Sequence, residues 1–307
     1  MSRPEVTTLG ETMASLHGQG PLRMGGALSL SVAGAEANVA IGLARLGHAA
    51  RYAGVVGDDE FGLLVTRTLR AEGVDTAVRV DPGRPTGLIV QENRIAGITR
   101  VHYYRDGSAG ATLSAADASA ALADPPRLLH VTGITPALGP APRAAVEHAV
   151  RLARDAGVRV SLDVNHRARL WDAETAAPVL AGLLPYTDLL FASGDELALV
   201  GGREAVAAAG VGELVVKHGA DGAEAVAGGE TVRLPARRVQ AVSTVGAGDA
   251  FVAGYLSGVL DGLPAAGRLG RAVTVGAFAV AAHGDWHGLP TRAELALLDL
   301  GDGSTVR

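Results

Sequence analysis

The stretch VSTVGAGDAFVAGYLSG, residues 242–258, decides how this chain is read. Gly246, Ala247 and Gly248 precede a carboxylate, Asp249, and a run with helical spacing follows. The first turn of a helix has N–H groups without partners and a partial positive charge, which suits an anion. Glycines there let a phosphate come close to the backbone. An aspartate in that place repels a phosphate, but it makes sense if it takes the proton of a hydroxyl that attacks the phosphorus. The amides would then steady the transferred group, and Asp249 would be the base. The structural alternative is that Asp249 only caps a helix. Ala250, Gly254 and Gly258 form a small-residue stripe four apart, which favours close packing under either reading. The stretch alone leaves both open. It lacks G-x-x-x-x-G-K-[ST], and Phe251 stands where G-x-G-x-x-G needs its third glycine. A nicotinamide-dependent dehydrogenase therefore has no fingerprint here.

The whole chain bounds what such a site can serve. Its 307 residues suit one large domain, with or without a smaller appendage. Hydrophobic residues make up 48% and charged residues 19%, so a sizeable core is available. Aromatics are only 4%, and the abundant Ala and Gly suit closely packed layers. The net charge is −5 with no basic block, which argues against nucleic acid or an anionic membrane as partner. The absence of cysteine excludes disulfides and thiolate metal sites. The start, MSRPEVTTLGET, has no apolar signal-peptide core, and AVTVGAFAVAA (272–282) is too short to span a bilayer. The latter reads as a buried helix, and a cytoplasmic protein is expected.

The second half alternates strand and helix patterns. VRVSLDVN (158–165), DLLFAS (188–193) and ELVVKHG (213–219) read as buried strands. Ala-rich stretches with helical spacing, 142–156 and 195–209, lie between them. That alternation predicts a parallel sheet covered by helices on both faces. Residues 223–235 read as a hairpin turning at Gly228-Gly229. In the first half, VTTLGET (6–12) predicts a central strand ending at Gly10. ALSLSVAG (27–34) and parts of 86–106 alternate apolar and polar residues, so one face is buried and one wet. They predict a small separate sheet able to act as a lid or as a dimer surface. GDDE (57–60) reads as a helix cap.

Several motifs together resemble one family. GAGDAFVAGYL (246–256) resembles the C-terminal signature of the phosphofructokinase B / ribokinase family of sugar kinases. GAEANVAIGLARLG (34–47) resembles its N-terminal signature, and VGDDEFG (56–62) follows. SGDE (193–196) stands where the family carries N-x-x-E, and KHGADG (217–222) resembles its nucleotide loop. The motifs keep the family order across nearly the whole chain.

The resemblance implies a ribokinase-like three-layer α/β/α fold of Rossmann type. It implies one kinase domain over 1–307, with a β-sheet lid drawn from about 12–33 and 86–108. It implies phosphoryl transfer from ATP with Mg²⁺, with Asp249 as base and the amides of Gly246, Ala247 and Gly248 as anion hole. Asn165, Ser193, Lys217, Gly219 and Gly222 would line the nucleotide side, and Glu196 would organise Mg²⁺ through water. Two positions depart from the pattern. Ser243 replaces the family's Asp three residues before Gly246, which weakens the case for a monovalent cation. Ser193 replaces the Asn of N-x-x-E.

Arg105 follows a predicted lid strand and Arg167 a predicted core strand. Arginine pairs bidentately with a carboxylate, so two arginines facing one cavity would mark a sugar acid. The alternative is that both are surface or nucleotide-side charges. YYRDGSAG (103–110), LLHVTGITPALGP (128–140), SLDVNHR (161–167) and GDWHGLP (284–290) are similar to the family branch that phosphorylates 2-keto-3-deoxygluconate. That likeness implies substrate contacts at Gly34, Tyr103, Arg105, Ile134 by its backbone, Arg167, Asp249 and Asp285. Kinases for fructose, ribose or a deoxy-ketogluconate isomer are the alternatives, and a non-catalytic sugar-binding regulator is another. Alternating His283, Asp285 and His287 invite a metal reading, but no further ligand cluster lies nearby in sequence. Exposed lid edges predict a homo-oligomer.

Overall fold

The structure, a computed structural model, describes residues 3–95 and 98–300. The strands are β1 (Val6–Leu9), β2 (Met13–Gln19), β3 (Leu28–Ala33), β4 (Ala50–Gly57), β5 (Asp75–Asp81), β6 (Leu88–Ile95), β7 (Ile98–Tyr104), β8 (Leu128–Thr132), β9 (Arg159–Asp163), β10 (Leu189–Ser193), β11 (Glu213–Lys217), β12 (Ala223–Ala227) and β13 (Glu230–Leu234). The helices are α1 (Ala35–Arg45), α2 (Glu60–Ala71), α3 (Ala115–Ala121), α4 (Pro140–Asp155), α5 (Ala173–Leu183), α6 (Gly194–Leu199), α7 (Gly202–Ala208), α8 (Ala247–Leu260) and α9 (Ala265–Val280).

The large sheet runs β13-β12-β11-β10-β9-β8-β1-β4-β5. From β11 to β5 every neighbouring pair is parallel. The β12–β13 hairpin closes one edge antiparallel, turning at Gly228 (φ 58°) and Gly229 (φ 82°). Two positive φ angles in a two-residue turn match the right-handed twist of the strands, and glycine adopts them without strain. One apolar cluster packs α1, α8 and α9 on one face of the sheet, and a second packs α3, α4 and α5 on the other. The expected three-layer arrangement is therefore present, with β1 an interior strand third from the β5 edge.

Local physics explains most elements. Asp59 caps α2 by accepting from the Gly62 amide at 2.8 Å. Residues 195–209 form α6 and α7 rather than one helix, because Gly201 (φ 90°) and Gly202 (φ 77°) turn the chain between them. The small-residue stripe lets α8 and α9 touch. A Cβ on Gly254 would stand 2.9 Å from Ala272 Cα, and one on Gly258 2.9 Å from Arg268 Cα. From Asp249 to Leu260 α8 is buried all round.

The second sheet has the order β3-β2-β6-β7. Strand β2 pairs antiparallel with β3 and parallel with β6, and β6 pairs antiparallel with β7. Residues 96–97, where the expected hairpin turns, lie outside the described residues. The outer strand β3 leaves Leu28 and Leu30 exposed. Among the described residues no helix is long and apolar enough to cross a membrane.

Candidate active site

The direction of chain progression reverses at β1, whose neighbours are β4 and β8. Parallel sheets bind ligands in the crevice beyond the strand ends at such a point. A cavity of about 130 Å³ lies there. Glu11 beyond β1, Ile134 beyond β8 and Arg167 beyond β9 enter it from the strand ends. Gly34, Glu36 and Asn38 enter from the start of α1, and Gly246 and Asp249 from the start of α8. The small sheet covers it with Gln91, Tyr103 and Arg105, and Asp285 reaches in from beyond α9. All seven residues expected to touch a substrate therefore share one cavity.

Asp249 lies in the first turn of α8, 9% exposed. Its Oδ2 accepts from Asn38 Nδ2 at 2.8 Å. Burial pushes its carboxyl up to about 6, assisted by the Asp163 charge and opposed by the Asn38 hydrogen bond and the Arg167 and Lys217 charges. Asp285 is also buried, and burial with the nearby Asp249 charge pushes it up to about 7. Gln91 Nε2 donates to Asp285 Oδ2 at 3.3 Å, and His17 Nε2 lies 3.7 Å from that oxygen. Glu36 accepts from the Thr132 and Thr135 hydroxyls, each at 2.7 Å, yet burial still raises its carboxyl above the usual range.

The glycines of the opening stretch divide. Gly246 is left-handed (φ 75°), and a Cβ there would lie 1.9 Å from the Asp285 carbonyl oxygen. Its missing side chain serves the Asp285 loop. A Cβ on Gly248 would meet nothing within 4 Å, so that position opens onto space. The Ala247 amide donates to the Thr244 carbonyl at 3.3 Å.

The two arginines also divide. Arg105 is buried and donates through Nε to Glu11 Oε2 at 2.7 Å and through Nη2 to the same oxygen. Arg167 is exposed, and forms no ion pair among the described residues. Arg167 is thus a cavity cation with no hydrogen-bonded carboxylate among the described residues, acting on Asp249 only through its charge.

A second group stands at the ends of adjacent strands. Lys217 closes β11 and donates to Asp163, at the end of β9, at 2.7 and 2.8 Å. Ser193 closes β10, and its side chain and that of Glu196 form a reciprocal cap on α6. Glu196 Oε1 also accepts from the His166 amide at 2.9 Å. Asn165 holds φ 38° while buried, an unfavourable backbone for a residue with a Cβ. Gly219 and Gly222 bracket the turn after β11, and a Cβ on Gly222 would lie 2.1 Å from the Leu234 carbonyl. None of these residues lines the cavity beside Asp249. Among the described residues no three His, Asp or Glu side chains group as a metal site.

The pfkB family carbohydrate kinase pattern matches residues 4–292. This chain belongs to the pfkB family of carbohydrate kinases. The 2-dehydro-3-deoxygluconokinase of Bacillus subtilis (strain 168) is 37% identical over 305 residues, covering 95% of this kinase and 94% of that protein. The 2-dehydro-3-deoxygluconokinase of Thermoproteus tenax is 36% identical over 303 residues, covering 94% and 92%. The crystal structure of a PfkB protein from Polaromonas sp. JS666 superposes with a TM-score of 0.85 at 35% identity, over 95% of this kinase and 99% of that chain.

Sequence reasoning missed four polar residues of this kinase's cavity: Glu11, Glu36, Asn38 and Gln91. Asn38 left one signal, a polar side chain four residues after Gly34 on an otherwise apolar helix face. Its Oδ1 is buried without a hydrogen-bond partner among the described residues. Glu11 left none, because a carboxylate after a strand is ordinary.

Proposed function

We propose that this kinase transfers the γ-phosphoryl group of ATP to the terminal hydroxyl of 2-keto-3-deoxygluconate, giving 2-keto-3-deoxy-6-phosphogluconate and ADP. The observation that carries the reading is the convergence of Asp249, Asp285 and an uncommitted Arg167 on one cavity beneath Tyr103 and Arg105. The similarity to 2-dehydro-3-deoxygluconokinases along nearly the whole chain supports the acceptor.

The Asn38 amide occupies Asp249 Oδ2 and leaves Oδ1 to accept from the acceptor's hydroxyl. As the hydroxyl oxygen bonds to the γ-phosphorus, its proton passes to Asp249 and the bond to the β-phosphate oxygen breaks. The amides of Gly246, Ala247 and Gly248 would face the charge on the transferred group, the Ala247 N–H by leaving the Thr244 carbonyl that it reaches at 3.3 Å, and Gly248 leaves room for that group. Arg167 pairs with the acceptor's carboxylate, and Asp285 accepts from its hydroxyls. Gly34 and the Ile134 backbone fix its position. Asn165, Ser193, Lys217, Gly219 and Gly222 form the ATP side, where Asp163 holds the Lys217 ammonium through both carboxylate oxygens. The small sheet is the lid of a single kinase unit, and excludes the water that would compete for the phosphoryl group.

The donor set on the ATP side fits Mg²⁺, a hard cation that keeps several waters and is held largely by substrate phosphates. Glu196, whose oxygens accept from the His166 and Ser193 amides, would hold it through water, and the ion would supply positive charge to offset that of the phosphates. Ser243 offers no carboxylate for a monovalent cation. The enzyme works in the cytoplasm on small molecules, as a homo-oligomer that covers Leu28 and Leu30 of the lid.

A kinase for a neutral ketose is the second reading, favoured by the Glu11 charge that offsets Arg105. ADP release with Mg-ATP across neutral ketoses and keto-deoxy sugar acids decides between them. The highest kcat/KM belongs to 2-keto-3-deoxygluconate; a higher value on fructose replaces the acid with a neutral acceptor.

A further inference from the structure

Glu11 stands where the chain leaves the large sheet for the lid, two residues beyond β1 and two before β2. It is 3% exposed, and Arg105, just beyond β7, is 7% exposed. Both line the cavity. The carboxylate is fully engaged: Oε2 accepts from Nε and Nη2 of Arg105, and Oε1 accepts from the Ser108 hydroxyl. Its surroundings are glycine. A Cβ on Gly110 would lie 2.3 Å from Glu11 Cγ, and one on Gly87 2.8 Å from Oε1. Backbone from both sides of the lid therefore closes around this carboxylate, and it has one place to be.

That immobility reaches the cavity through Arg105. A guanidinium is planar, so pinning Nε and Nη2 settles the direction of Nη1. The Tyr103 ring, with the guanidinium carbon 5.6 Å from its centroid, backs the same group. A long arginine side chain otherwise loses considerable rotamer freedom when it meets a ligand. Glu11 also cancels the buried charge, so Arg105 brings little net positive potential to the cavity.

We infer that Glu11 is a positioning residue for acceptor recognition: it fixes which edge of Arg105 the acceptor meets, making that contact a directional hydrogen bond and leaving Arg167 as the counter-charge of the acceptor's carboxylate. The inference rests on the sugar-acid reading above. A carboxylate present only to balance a buried arginine would act through its charge, wherever in reach that charge sat.

Two substitutions separate geometry from charge. Glu11→Gln keeps the geometry without the charge, since its carbonyl accepts from Arg105 and its amide donates to Ser108. Glu11→Asp keeps the charge but withdraws it by one methylene. Glu11→Asp raises KM for 2-keto-3-deoxygluconate about tenfold, the scale of one charge-assisted hydrogen bond, with kcat and KM for ATP within about threefold of the parent. Glu11→Gln leaves the acceptor KM at or below the parent's value. In an Arg105→Ala background Glu11→Asp adds nothing, because its effect passes through Arg105.

Reversed behaviour, with Gln raising KM and Asp not, overturns the inference in favour of charge balance. So does an undiminished Asp effect in the Arg105→Ala background. If a melting curve shows Glu11→Asp unfolded, Glu11→Gln decides alone: a KM at or below the parent's supports the inference and a tenfold rise overturns it. Failure of the sugar-acid reading is seen separately, as a parent enzyme with higher kcat/KM on a neutral ketose.

Discussion

Gly246 and Asp285 meet backbone to backbone, so close that a Cβ on Gly246 would stand 1.9 Å from the Asp285 carbonyl oxygen. The start of α8 and the loop carrying Asp285 are thus one unit, and the glycine is the joint. Gly246→Ala adds a left-handed alanine and a backbone clash. A loss of at least about 2 kcal/mol in denaturant unfolding, with turnover lost, is expected. Gly248→Ala is the contrast, since its Cβ meets nothing within 4 Å. That variant keeps its stability or gains up to about 1 kcal/mol, as alanine favours helix. Its turnover nevertheless falls if the open space belongs to a phosphoryl group. Unchanged kinetics in Gly248→Ala would remove that assignment.

Asp249→Asn separates catalysis from stability. Turnover falls at least about a hundredfold, the scale of a general base, while ATP still binds in a calorimetric titration. The fold gains at neutral pH. The Asp249 carboxyl is raised from 3.8 to about 6, so the native state holds its proton more tightly than the unfolded chain. The native state therefore bears a cost that is absent below pH 3.8 and complete above about 6. The stability difference between Asn and Asp variants grows across that window to on the order of 3 kcal/mol. A difference independent of pH would show that Asp249 ionises as it does in water.

The rate profile has its own sign. A general base works unprotonated, so kcat/KM for the acceptor falls about tenfold per pH unit below the Asp249 value. The break is expected between pH 6 and 7 rather than near 4, because burial raises both Asp249 and the neighbouring Asp285. Asn38→Ala removes the hydrogen bond that favours the ionised form, and moves the break to higher pH. A break that stays in place in Asn38→Ala would disconnect that pair from the chemistry.

Arg167→Ala tests the acceptor's charge. Its guanidinium has no ion-paired carboxylate among the described residues, so its removal breaks no salt bridge, although it withdraws a charge that favours ionised Asp249. KM for the sugar acid rises about tenfold or more, the worth of one charged pair, while a neutral ketose is affected far less. The stability changes little, since the residue is exposed. Equal losses on both acceptors would argue against carboxylate recognition at this position.

What the sequence determined on its own is local. The Gly228-Gly229 turn, the Asp59 cap and the anion-ready start of α8 follow from the residues at those places, because backbone preference and near-neighbour hydrogen bonds act over a few positions. The alternation of buried strands and amphipathic helices settles the layered sheet in the same way. The tertiary structure decided the partners. Asn38 reaches Asp249 across 211 positions, and Glu11 reaches Arg105 across 94. Whether an arginine is a free cation or a spoken-for one depends on which carboxylate the fold brings beside it, and whether a glycine serves a turn or a ligand depends on what backbone lies against it. Arg105 and Arg167, and Gly246 and Gly248, are alike as letters in a chain; packing alone makes them different.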